Sequence, residues 1–270
     1  MFYTAMYDAV FKSVFCKEEN RDLLKRLIET CLHEEVEIID IKPPEMLKQS
    51  IYEKNKTLDV LIKCKDKIIN LEINSGFYSG LHRRNAGYIF TKYGKDVKKG
   101  QNYQTMNEYI QINFTAGLSK NAPILGTYKL KDENSNLLFI DNLTIYEYNM
   151  NRIHELKGKE NNFLKMLNAN QKDLGKLCKG DELMEKFKEE VENLNEDPLF
   201  QDWMTEEKDA IKVRNTLMLE AEQLGLKQGL ERGQKLEKLE IAKNMLEDNI
   251  DKEIISKYTG LSVIEIESLK

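Results

Sequence analysis

The chain has few cysteines, and none is spaced for metal or redox chemistry. Cys16, Cys31, Cys64 and Cys178 form no CxxC pair. Zinc-ribbon and thioredoxin-type motifs are thereby excluded, and the expectation is reduced thiols in a cytoplasmic protein. Long hydrophobic runs are absent too. No uninterrupted apolar stretch approaches the ~18 residues of a spanning helix, so no membrane partner is expected. The opening Met1-Phe2-Tyr3 lacks a basic n-region with an apolar h-region behind it, so no secretory leader is expected. Positive charge is not in excess: 41 Lys and Arg face 46 Asp and Glu, a formal charge of −5. That excludes a chain coated for nucleic-acid binding and leaves room for a local basic groove.

What is present suits a globular protein. The 270 residues, 41% hydrophobic and 32% charged, allow one sizeable domain and an appendage. Apolar stripes at helical spacing predict helices over residues 2–33, broken near 17–20. A strand over 36–41 ends at Pro43-Pro44.

The most informative stretch is 57–74. Thr57-Leu58-Asp59-Val60-Leu61-Ile62 and Ile68-Ile69-Asn70-Leu71-Glu72-Ile73-Asn74 both read as strands. The short turn Lys65-Asp66-Lys67 suits a hairpin between them. Each strand carries an acid among apolar residues. An ionised carboxylate buried there costs several kcal/mol unless compensated, and a cation is the usual compensation. Alternation puts Asn70, Glu72 and Asn74 on one face and Leu71 and Ile73 on the other. Asp59 shares a face with Leu61 and Lys63. If the hairpin brings Asp59 to Glu72, the two acids converge on one divalent metal, with Asn74 beside it to orient a water or a phosphate. A hairpin whose acids face solvent is the competing reading.

Further along, residues 81–98 read as a basic helix containing His82, Arg83, Arg84, Lys92 and Lys95, with Leu81, Ala86, Ile89, Phe90 and Tyr93 expected on its buried face. Its charges form either a phosphate-gripping surface or a solvated helix face. His82 is expected at the surface. Glu108–Phe114 alternates as a core strand, with strands over 124–130 and 137–148 after it. Asp141 and Glu147 read as surface acids. Helices return after Ile153.

The last segment changes character. A helix over 206–247 carries Gly225, Gly229 and Gly233 at intervals of four, either for close approach of another helix or as a weak point. Residues 254–269 read as a small helix-turn-helix, with Ser262 and Glu265 as a capping box. Glu265 and Glu267 would repel phosphate, so a protein contact is expected there in preference to DNA.

These motifs together resemble the PD-(D/E)XK nuclease superfamily, and within it the transposase-like, recombination-promoting nucleases. The resemblance rests on Asp8-Ala9-Val10-Phe11-Lys12, Leu58-Asp59-Val60, Leu71-Glu72-Ile73-Asn74, Arg84-Asn85-Ala86-Gly87-Tyr88 and Gly100-Gln101-Asn102-Tyr103. It implies an α/β fold: a restriction-endonuclease-like mixed sheet flanked by helices, with a helical C-terminal tail. The implied organisation is a nuclease-like core over 1–150, a helical layer over 151–205 and the tail over 206–270. The implied activity is Mg²⁺- or Mn²⁺-dependent DNA endonuclease chemistry, linked to recombination or mobile elements. Asp59 and Glu72 would hold the metal, with Asn74 as third catalytic residue. Asp8 or Glu53 would be an additional acid, and Arg83, Arg84, Lys92 and Lys95 would contact DNA phosphates. The tail would mediate homo-oligomerisation or bind a protein partner. Asn74 departs from the family's Lys or Gln, being uncharged and one methylene shorter than Gln. A catalytically inactive nuclease-fold protein that binds nucleic acid or a protein partner is therefore the alternative.

Overall fold

A computed structural model describes residues 1–42, 60–96 and 102–269. Asp59 and Glu53 lie outside the described residues. The described chain divides into two compact units, Met1–Gln201 and Asp202–Lys270.

In the first unit, helices α1 (Asp8–Phe15) and α2 (Arg21–Leu32) precede strand β1 (Ile38–Lys42). The expected break falls at Cys16 to Asn20, where a short 3-10 turn over Glu18–Asn20 redirects the chain. Strands β2 (Val60–Cys64) and β3 (Lys67–Asn74) form the hairpin; helix α3 (Leu81–Asp96) leads to β4 (Glu108–Thr115). Strands β5 (Leu125–Tyr128) and β6 (Leu143–Asn149) complete a six-stranded sheet in the order β1-β2-β3-β4-β6-β5. The central strands β3, β4 and β6 run parallel, and the flanking pairs are antiparallel. Parallel strands are covered on both faces, and every residue of β3 is buried.

Strand period separates the two faces. Ile69, Leu71 and Ile73 align with Ile110, Ile112 and Phe114. Phe114 meets Phe11 of α1 at 6.4 Å and Tyr148 of β6 at 5.5 Å between ring centroids. Helices α4 (Asn162–Met166), α5 (Gln171–Leu177) and α6 (Glu182–Glu196) follow, and Phe187 of α6 reaches Phe15 at 5.7 Å. The opposite face is apolar only at its β-strand start, where Leu61, Ile68, Tyr109 and Leu143 pack with Ile89 of α3. Farther along, that face becomes polar.

Two expectations need correction. The strand foreseen over 137–148 begins only at Leu143. Leu137, Leu138 and Phe139 are exposed (71, 45 and 84%) in a turn that the Asp132 side chain closes on Ser135. Apolarity alone mimicked a strand. Phe90, expected on the buried side of α3, is 44% exposed, because Ile89 already takes the inward position.

Helix α7 (Pro198–Glu247) runs unbroken past Gly225, Gly229 and Gly233. It begins earlier than residue 206, since Pro198 suits a first helical position and Asp197 Oδ1 accepts from Leu199 N. Helices α8 (Lys252–Thr259) and α9 (Val263–Glu267) turn at Gly260, whose φ of 72° is left-handed. Ser262 and Glu265 form the reciprocal capping box. Ile255, Leu261 and Ile266 bury against Ala242 of α7. Among the described residues no helix is long and apolar enough to cross a membrane.

Candidate nuclease site

The polar face of the sheet is a ladder across its three parallel strands. Asn70, Glu72 and Asn74 of β3 stand in register with Gln111, Asn113 and Thr115 of β4. These align in turn with Ile145, Glu147 and Asn149 of β6. All but Ile145 are buried, Glu72 at 1% exposure and Glu147 at 4%. Parallel pairing keeps period-two positions aligned, so three separate polar alternations become one patch.

Hydrogen bonds fix much of this patch. Asn70 Nδ2 donates to Glu72 Oε1 at 2.8 Å, and Asn74 Nδ2 donates to Thr115 Oγ1 at 3.0 Å. Arg84 enters from the first turns of α3. Its Nη2 donates to Asn74 Oδ1 at 2.6 Å and lies 3.9 Å from Glu72 Oε2. The guanidinium sits near the rings of Tyr78 and Tyr88, 6.0 and 5.6 Å from their centroids. Cation–π contact with both rings and the pull of Glu72 hold it in place.

Glu147 is the acid that the sequence reading misplaced. It is buried, not a surface residue. It accepts from Asn113 Nδ2 at 2.8 Å and lies 3.7 Å from His82 Nε2. Burial pushes its pKa up; hydrogen bonds from Thr115 and Asn113 and the nearby His82 oppose the rise. Its signal was present: Glu147 lies between Tyr146 and Tyr148 in a β-branched and aromatic run, the pattern that marked Glu72. Gln111 and Asn113 carried the same period-two mark inside a strand read only as core.

The remaining predicted residues divide. Asp8 is half exposed and pairs with Lys12 on α1 at 2.7 Å, in the manner of a solvated helix face. Arg83 and Lys95 are exposed. Lys92 and Lys95 lie two to three turns beyond Arg84, about 12–16 Å along α3. Of the four basic candidates, the structure brings Arg84 to Glu72 and Asn74.

The donor set suits a hard divalent cation in chemistry. Glu72 offers carboxylate oxygens, and Mg²⁺ commonly takes only one or two protein carboxylates, with water and substrate phosphate filling the rest. Among the described residues there is no ready cluster of three His, Cys, Asp or Glu. The cysteines contribute nothing: all four are free, and burial pushes the Cys64 and Cys178 thiols up to about 11 and 12.

A mixed sheet with buried acid and amide side chains on its central strands, between helical layers, defines a restriction-endonuclease-like α/β fold. Residues 5–218 match the family described as "PD-(D/E)XK nuclease family transposase". The chain belongs to that family, and its function is of nuclease type. Residues 235–270 match the "Rpn/YhgA-like nuclease family, C-terminal HTH domain", the segment that folds as the end of α7 with α8 and α9. No curated protein and no solved structure matches the chain significantly.

Proposed function

We propose that this chain is a Mg²⁺- or Mn²⁺-dependent DNA endonuclease that serves recombination or a mobile element in the cytoplasm. The observation that carries the reading is the buried Glu72 carboxylate, held by Asn70 and faced by Arg84. Keeping a charged acid buried is costly, and a metal-binding role accounts for its retention. Glu72 and Asp59, which directly precedes β2 in the sequence, would hold the metal. When bound, such a metal lowers the pKa of a coordinated water and stabilises charge on the scissile phosphate. Asn74 would orient the phosphate or the water. Arg84 would lend the positive charge that Asn74 lacks and would contact a phosphate oxygen through its planar fork. Arg83, Lys92 and Lys95 would extend the phosphate contacts along α3.

The C-terminal helix-turn-helix adds a second route to DNA. The acids that argued against it are both engaged: Glu265 in its cap and 3.3 Å from Lys235, Glu267 2.9 Å from Lys252. Their negative charge is partly offset, which removes much of the objection to DNA binding. Self-association through α7 remains part of the proposal, since an added Cβ at Gly225, Gly229 or Gly233 meets open space.

The deciding experiment is plasmid cleavage with Mg²⁺ and with EDTA, comparing the wild type with Glu72→Ala and Asp59→Ala. Cleavage with Mg²⁺ by the wild type alone supports the reading; equal activity in all three overturns it. One observation favours an inactive DNA-binding relative: both ends of the Asn74 amide are already taken, by Thr115 and Arg84. DNA binding without turnover would select that reading.

A further inference from the structure

Beside the ladder lies a cavity of about 230 Å³. His82, Asn85 and Ala86 of α3 form one side, and Gln111, Ile145 and Glu147 of the sheet form another, with Tyr128 of β5 at its margin. Three of its lining side chains each hold a buried polar atom that has no hydrogen-bond partner among the described residues: Asn85 Nδ2, Gln111 Oε1 and Glu147 Oε1. Unpaired buried polar atoms cost about 1–3 kcal/mol each, and three around one cavity call for an occupant.

Their chemical sense is set by charged groups at the ends of the network. Arg84 can only donate. Its Nε bonds Asn85 Oδ1 at 3.1 Å, which leaves the Asn85 Nδ2 donor unpaired. The Glu147 carboxylate accepts from Asn113 Nδ2, so Asn113 Oδ1 must accept in turn. It does so from Gln111 Nε2 at 2.8 Å, which leaves the Gln111 oxygen unpaired. The cavity therefore offers one donor and two acceptors. A bare cation would satisfy the two oxygens but would be opposed by the Asn85 amine.

We infer that this cavity receives a guanine base. Guanine's Watson–Crick edge presents two adjacent donors, N1–H and N2–H, and one acceptor, O6. That complements the Gln111 and Glu147 oxygens and the Asn85 amine. Cytosine and thymine each present two acceptors and a single donor, and adenine one of each. Apolar contact with Ala86, Ile145 and the Tyr128 ring suits a planar base. Glu147 stands two strand spacings from Glu72, about 10 Å, which one nucleotide can bridge. The inference rests on the nuclease reading only for the delivery of a strand; it adds a guanine preference next to the scissile phosphate.

The test is binding of the full chain, in EDTA, to fluorescent single-stranded oligo-dT carrying one central dG, deoxyinosine or dA. Inosine keeps O6 and N1–H and lacks the N2 amine. The wild type should bind dG most tightly and inosine about tenfold more weakly, the effect of one hydrogen bond to a charged or buried acceptor. Gln111→Leu, which removes an acceptor, and Ala86→Leu, which fills the cavity, should bring dG down to the level of dA. Competition by free GMP but not AMP would assign the site to guanine nucleotides in general. A dG preference that GMP does not relieve would assign it to a strand-borne base. Equal binding of all three oligonucleotides by the wild type overturns the inference and needs no variant to fold. A preference that persists in both variants overturns it as well. Cleavage with Mg²⁺, measured separately, distinguishes failure of the pocket from failure of the nuclease reading.

Discussion

Arg84 and Asn74 are joined by a 2.6 Å hydrogen bond, and the same Arg84 nitrogen stands 3.9 Å from the Glu72 carboxylate. The positive charge missing from the strand position at residue 74 thus arrives from the neighbouring helix. Arg84→Ala should lower metal-dependent cleavage by about 10²-fold, as loss of a preorganised charge-stabilising donor does elsewhere. Arg84→Lys should recover part of it, and added guanidinium ion should partly rescue Arg84→Ala. The Arg84 side chain is 38% exposed, so its contribution to folding is small after solvent screening. Cleavage rates beside thermal melts separate the two effects.

Asn74 spends its amide on two partners, Thr115 and Arg84. Asn74→Ala should destabilise the first unit by about 1–3 kcal/mol, the cost of leaving buried groups unpaired. Urea unfolding monitored by circular dichroism measures this.

Glu147 has a pKa raised by burial. Below the ordinary carboxyl range, both folded and unfolded chains hold this proton, and the residue carries no penalty. As pH rises, the unfolded chain releases the proton first. The folded chain then loses stability up to its own higher pKa. Glu147→Gln removes that loss. The melting-temperature advantage of the variant over the wild type should be smallest below the ordinary carboxyl range and grow as pH rises through and above it. Each kcal/mol corresponds to about 2–4 °C for a unit of this size. An advantage that shrinks with rising pH would contradict the assignment.

Phe114 lies at the centre of the apolar face, buried between Phe11 and Tyr148. Phe114→Ala should cost about 3–5 kcal/mol, read as a lower urea midpoint at unchanged slope.

In the C-terminal unit, Ser262 caps α9 and Gly260 adopts φ 72°. Ser262→Ala should cost about 1 kcal/mol, and Gly260→Ala about 1–2 kcal/mol for the left-handed backbone. Hydrogen exchange over residues 252–267 should accelerate in both variants while amides of β3 and β4 stay protected.

The fold was largely legible because its main elements follow period. Ile68 to Asn74 announced a strand, Asn70, Glu72 and Asn74 announced a polar face, and Ser262 with Glu265 announced a helix start. The site was legible only in part. Leu137 to Phe139 were apolar enough to imitate a strand, and the Asp132 turn that places them in solvent is a local hydrogen-bond choice that hydropathy does not reveal. Glu147 was misjudged because one acid in a strand is ambiguous until both faces of that strand are known to be covered.

By itself, the sequence determined the order of elements, the family and the period-two pattern that puts Glu72 beside Asn74, since alternation is a property of one strand. Tertiary structure decided which strands lie side by side. Parallel register sets Asn113 between Glu72 and Glu147, and the packing of α3 delivers Arg84 to Asn74. Such contacts join residues far apart in the chain, and no spacing within a single segment encodes them.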